Sequence, residues 1–186
     1  MRADAVRNRQ KLLSVAEELF TTKGVGVEMD EIAAAAGLGV GTIYRHFATK
    51  EALIEAIVVG PVEELIAEAR ELATAANPGD AFFEMFAKLV NLAAKKHHLL
   101  SEVGHAGLAP TYGTATQVAA RRDRFRAAFS KLLERAQAAG AVRRDVRVPE
   151  LVALINGAFP HLARDRAGRE AHRRLLALVL QGLAPS

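Results

Sequence analysis

The chain has 186 residues, 51% hydrophobic and 25% charged, with eight phenylalanines, no tryptophan and no cysteine. That length supports one domain or two small ones around a full core, and the absence of cysteine excludes disulfides and thiolate metal sites and fits a cytoplasmic location. No apolar run reaches the roughly 20 residues of a membrane span, and the opening MRADAVRNRQK lacks the apolar segment of a signal peptide. The net charge of +4 is unevenly spread: residues 1–50 hold seven basic and six acidic residues, 51–112 four and nine, and 113–186 fourteen and six. A basic C-terminal part would ordinarily point to nucleic acid there. Its arginines lie in strongly helical segments, however, where a charged stripe reads as a solvated face.

A first helix is predicted over NRQKLLSVAEELFTTKG, with Leu12, Ala16, Leu19 and Phe20 on one face, Leu13 widening it, and Gly24 as the stop. MDEIAAAA forms a short second helix with Met29, Ile32, Ala33 and Ala36 inward and Asp30 and Glu31 at its positive end. A third, over 40–47, buries Ile43 and Phe47, and Thr49 caps the fourth, KEALIEAIVVGPVEELIAEARELATAA. Gly60 and Pro61 predict a kink or break within it. After Asn77-Pro78-Gly79, Asp80 is the expected cap of a fifth helix, AFFEMFAKLVNLAAKK, apolar on several sides. The segment HHLLSEVGHAGLAPTYG is expected to hold a short helix at most. A long helix over 115–139 places Val118, Phe125, Phe129, Leu132, Leu133 and Ala136 on one stripe, and Gly140 ends it. Pro149 opens the next helix, which carries Leu151, Leu154, Ile155, Ala158 and Leu162 and is disturbed by Gly157 and Pro160. A last helix, over 168–182, presents Leu175, Leu176, Leu178 and Val179. The fold class is therefore all-α: about nine helices, an N-terminal three-helix helix-turn-helix head and a C-terminal helical body.

The stretch AAAGLGVGTIYRHF offers two readings. A glycine loop for a nucleotide needs a strand before it, and the residues before Gly37 have a helical period instead. The spacing is G-x-G-x-G, with Ile43 where the next glycine of a dinucleotide loop belongs, and no Gly-Lys-Ser/Thr follows. An enzyme built on this loop also lacks a nucleophile elbow and a paired-carboxylate site. The helix-turn-helix reading accounts for more residues: Gly37 supplies the left-handed turn, Gly39 starts the next helix, and Gly41 allows close backbone approach to DNA or to the first helix.

The segment MDEIAAAAGLGVGTIYRHFATKEALIEAIV resembles the DNA-binding head of the TetR/AcrR family of bacterial transcriptional regulators. Ile32, Ala33, Ala36, Gly37, Gly41, Thr42, Tyr44, Phe47, Lys50 and Leu53 occupy every fixed position of the pattern I-A-x-x-A-G-x-x-x-G-T-x-Y-x-x-F-x-x-K-x-x-L, and LLSVAEELFTTKG is similar to the family's first helix. The resemblance implies a helix-turn-helix DNA-binding domain over 1–50 and a ligand-binding and dimerisation domain over 51–186. Val40, Gly41, Thr42, Tyr44, Arg45, His46 and Lys50 match positions that contact double-stranded DNA. Of these Arg45 suits guanine, Thr42 and Tyr44 suit phosphate or a thymine methyl, and His46 and Lys50 suit phosphate. Arg7, Arg9 and Lys11 are expected to add backbone contacts. Two departures stand out: Val40 where many relatives carry Lys or Arg, and Glu28 where many cap the second helix with Ser or Thr. With a head of net charge +1, they predict few phosphate contacts and a modest salt dependence.

The implied protein is a homodimer on a palindromic operator, a repressor released by a small apolar effector; control by a protein partner is the alternative. Leu154, Gly157, Ala158, Leu176 and Val179 are the expected dimer residues. Phe82, Met85, Phe86, His105, Tyr112, Phe125, Phe129 and Asn156 are the expected pocket residues, with Phe83 and Phe159 in the same aromatic supply. Gly60 and Pro61 would be the place where effector binding moves the head. Neither a metal nor a cofactor is expected, since His97 and His98 point about 100° apart on a helix.

Overall fold

The computed structural model describes residues 2–108, 110, 112–158 and 166–185. Among them are eight helices: α1 (Arg2–Lys23), α2 (Met29–Ala35), α3 (Val40–His46), α4 (Lys50–Leu72), α5 (Pro78–His105), α6 (Ala115–Ala138), α7 (Val148–Ala158) and α8 (Arg166–Leu183). Phe159, Pro160 and Leu162 lie outside the described residues. None of these helices is long and apolar enough to cross a membrane.

The chain divides into two compact units, one of Met1–Gly60 with His98–Thr114, the other of Pro61–His97 with Ala115–Ser186. Each has its own core. In the first, Leu12, Ala16 and Phe20 of α1 close on Ile32 and Ala33 of α2, Ile43 of α3, and Leu53 and Ile54 of α4. In the second, Phe82, Met85 and Phe86 of α5 pack with Phe129, Leu132 and Leu133 of α6, and with Leu151 and Ile155 of α7. These are the faces that the 3.6-residue period selects.

Four expectations change in detail. The helix expected to stop near Lys96 continues to His105, so HHLLSEVGH ends α5 instead of forming a separate short helix. No proline interrupts it, and its end brings Val103 into the core of the first unit, with Leu99 and Leu108 packed against it. The cap of α5 is Asn77, whose Oδ1 accepts the Asp80 N–H at 3.3 Å while its Nδ2 donates to Asp80 Oδ2 at 2.6 Å. Pro78 then takes the first helical position, where no amide donor is needed. Val118 lies exposed near the start of α6, outside the stripe that buries Ala128, Phe129, Leu132, Leu133 and Ala136. Gly60 and Pro61 do not break α4, which runs from Lys50 to Leu72 with Pro61 inside it.

Polar ties complete the second unit. Glu63 of α4 receives Arg124 through two hydrogen bonds, at 2.7 and 2.9 Å, and Arg121 through a third at 3.1 Å. Arg135 of α6 donates to the carbonyls of Ala73 and Ala75 at 2.6 and 2.9 Å, serving acceptors in the segment that follows α4. Lys88 of α5 joins Glu68 of α4 and Glu84 of its own helix.

Candidate nucleic-acid interface

The turn between α2 and α3 is made by its hydrogen bonds. Leu38 donates its N–H to the Ala33 carbonyl and Gly37 to the Ala34 carbonyl, both at 2.9 Å. That pair is a Schellman termination, and it sets Gly37 at φ +63, where a Cβ would strain the backbone. Leu38 folds back onto the core of the first unit, so the motif has its apolar contact too. The same pair of bonds ends α5 at Gly107 and α6 at Gly140.

Helix α3 then starts at Gly39, extended at φ −71 and ψ 148, with no side chain capping it. Thr42 N–H reaches the Gly39 carbonyl at 2.8 Å, and Phe47 N–H reaches the Ile43 carbonyl at 2.8 Å. Ile43 and Phe47 are buried. Within this seven-residue helix Arg45 lies opposite the inward Ile43, Tyr44 lies to one side, and Val40, at the first turn, shares the inward face but is left uncovered; all three are exposed, Tyr44 at 48%. Thr42 and His46 lie half-buried on its flanks. A Cβ added at Gly41 would meet nothing within 4 Å, so the close approach considered between Gly41 and α1 is absent.

Two cations are held beside this helix. The Arg9 guanidinium of α1 stacks over the Phe47 ring, 5.1 Å from its centroid. Lys50, the first residue of α4, is more enclosed than its motif suggests: its side chain is 16% exposed, and Nζ donates to the Val25 carbonyl at 3.3 Å. Glu28 Oε1 lies 3.7 Å from the same nitrogen. Thr49 Oγ1 accepts the Ala52 N–H at 3.1 Å and caps α4 as expected. Lys11 Nζ stands 3.7 Å from where a Gly37 methyl would be, near the negative end of α2. Arg7 is paired with Asp4 on the exposed side of α1.

The profile described as bacterial regulatory proteins, tetR family, matches residues 12–57, and one described as the transcriptional regulator SbtR-like C-terminal domain matches 77–185. A TetR transcription regulatory protein from Mycobacterium vanbaalenii is 36% identical with a TM-score of 0.75, covering 99% of both chains. The chain belongs to the TetR family of transcriptional regulators. The TetR regulator SCO0520 of Streptomyces coelicolor is 32% identical, with a TM-score of 0.76 over 96% of this chain and 99% of that one. An HTH-type transcriptional regulator of Staphylococcus aureus is 36% identical over 73 residues, which are 39% of this chain and 40% of that protein's length. This chain is thus a DNA-binding regulator and not an enzyme.

The residues expected of a pocket and of a dimer are placed as follows. Phe82, Met85, Phe86 and Phe129 are fully buried, and half-buried Phe125 stacks on Phe129 at 5.6 Å. His105, exposed, and Tyr112, half-buried, belong to the first unit. Burial, with Glu55 nearby, raises the Tyr112 hydroxyl above its ordinary pKa. Asn156 is exposed on α7 beside Gly157, with Leu154 and Ala158 half-buried. On α8, Leu176 and Val179 are half-buried and Leu178 is 64% exposed. The enclosure of Lys50 and the part of α5 in the head core have no counterpart in the sequence reading; Val103, with Leu99 four residues before it, was the only available signal.

Proposed function

We propose that this TetR-family chain is a dimeric repressor, cytoplasmic, that leaves a palindromic operator when a small apolar effector binds its body. Residues 1–50 would be the DNA-binding domain and 51–186 the ligand-binding and dimerisation domain. The observation that carries the reading is α3: Ile43 and Phe47 anchor it from inside while Val40, Tyr44 and Arg45 are left to solvent. Inserted in a major groove, it would set Arg45 against a guanine edge and Thr42, Tyr44 and His46 against backbone or a thymine methyl, with Gly41 open to a close approach. Two heads related by a two-fold axis would read half-sites about 34–36 Å apart. The exposed Leu178, with Leu154, Gly157, Ala158, Leu176 and Val179 on the two last helices, is the surface offered to a second copy. The effector would enter against the phenylalanine cluster, where half-buried Phe125 covers Phe129.

Selection of bound fragments from a random DNA pool tests this reading. A two-fold symmetric site is expected, and Arg45→Ala should relax the preference at one position per half-site by about 1–3 kcal/mol. An asymmetric site, or an unchanged preference in the variant, would reject it.

A further inference from the structure

Glu28 holds the N-cap position of α2 without capping it, for its carboxylate accepts no hydrogen bond from the helix. It is 80% exposed, yet its Oε1 lies 3.7 Å from Lys50 Nζ, across the connection from α2 to the start of α4. Lys50 has little freedom of its own, because its stem is enclosed and its ammonium is fixed on the Val25 carbonyl. The neighbouring cation Lys23 is taken by Glu31, so it does not draw Glu28 away.

From this arrangement we infer that Glu28 is an affinity-setting residue: in the free protein its carboxylate occupies the place on Lys50 that a DNA phosphate must take. A carboxylate and a phosphate offer the ammonium the same thing, an anionic oxygen acceptor. A phosphate approaching Lys50 has to displace Glu28 or stand beside its charge, and either lowers the net gain of binding. Displacement asks only for rotation of an exposed side chain that caps nothing, so the exchange needs no backbone movement. Glu28 would thereby limit the affinity and the salt dependence of the whole interface without touching a base. The inference rests on the proposed contact between Lys50 and phosphate.

The test is a mutant cycle on the full chain with the DNA fragment it selects, read by fluorescence anisotropy over a salt series. Glu28→Gln should tighten binding at low salt by about fivefold, the order expected for one unit charge at this separation in water. It should also steepen the slope of log affinity against log salt by about 0.9 for each Lys50 released. In a Lys50→Gln background Glu28→Gln should change neither quantity, and Lys50→Arg should restore the gain. An equal gain with and without Lys50 would overturn the inference, because Glu28 would then act as a general repulsive charge. No gain from Glu28→Gln, with Lys50→Gln still weakening binding, would overturn it and leave the phosphate contact standing. If Lys50→Gln binds as the parent does in both backgrounds, the phosphate contact itself fails and the inference with it. Thermal unfolding of each variant separates these outcomes from loss of fold: Lys50→Arg keeps the donor to Val25, so its Tm should stay near the parent's.

Discussion

The first unit shapes α3 and the turn before it with bonds between near neighbours in sequence: Gly37 to Ala34, Leu38 to Ala33, Thr42 to Gly39, Phe47 to Ile43. The second unit is tied across the chain. Glu63 meets Arg121 at a separation of 58 residues, and Arg135 meets Ala73 at 62. The cores differ as well. Aliphatic side chains and single phenylalanines fill the first, whereas in the second the Phe82 ring stacks on Phe86 at 6.2 Å and on Phe129 at 5.7 Å. A local device can be encoded in a short motif, because each residue's partner lies within one turn of it. A long-range one depends on how helices pack, and the same arginine could serve many arrangements.

The sharpest way to test the contrast is Phe129→Ala. Its ring is fully buried between Phe82 and Phe125, so removing it from a close-packed core should lower stability by about 3–5 kcal/mol in urea unfolding. A loss under about 1 kcal/mol would mean that the cluster is not packed as a core and has room for a guest. The result therefore separates core from pocket at the place where the effector is proposed to bind.

Two glycines compare the units directly. A methyl at Gly79 in the second unit would sit 2.7 Å from the Ala141 Cβ, so Gly79→Ala should cost about 1–3 kcal/mol through crowding. A methyl at Gly37 has space, with Lys11 Nζ at 3.7 Å its nearest neighbour, but φ is +63. Gly37→Ala should cost about 1–2 kcal/mol through backbone strain alone. Second-site changes distinguish the causes. Ala141→Gly should rescue Gly79→Ala, and Gly37→Asn should be milder than Gly37→Ala because asparagine tolerates the left-handed region. Failure of the rescue would place the crowding elsewhere.

How far the sequence could be read follows from the same difference. Ile32, Ala33, Ala36, Gly37, Ile43 and Phe47 are recognisable by spacing, and the structure buries the five apolar ones and turns the chain at Gly37. The cap at Thr49 was equally plain, since its partner Ala52 is three residues away. The length of α5 was not: Gly104 and Gly107 both look like stops, and only Gly107 has the positive φ that ends the helix. Exposed Val118 shows the limit of a periodic stripe, which predicts a face but not whether anything covers it. Lys50 carries the same lesson at the interface, for its motif says nothing of the Val25 carbonyl or of Glu28.

Acid should weaken one of these long-range ties, that of Glu63, by a small margin. The hydrogen bond from Arg124, and after it that from Arg121, holds the Glu63 carboxyl below its ordinary value of 4.5, against a desolvation that would raise it. Because the folded value is the lower one, the unfolded chain takes up the proton first as pH falls. The contribution of Glu63 to stability is then complete well above pH 4.5 and is lost as pH falls through the folded value. The side chain is 37% exposed, so solvent screens the pair and the effect belongs with other surface ion pairs, about 0–1 kcal/mol. Glu63→Gln should accordingly lower Tm slightly at neutral pH and leave it nearly equal to the parent's in strong acid. If the two proteins keep the same gap in Tm from neutral pH into strong acid, the arginines hold α4 and α6 together by shape and packing of their stems, and charge contributes nothing.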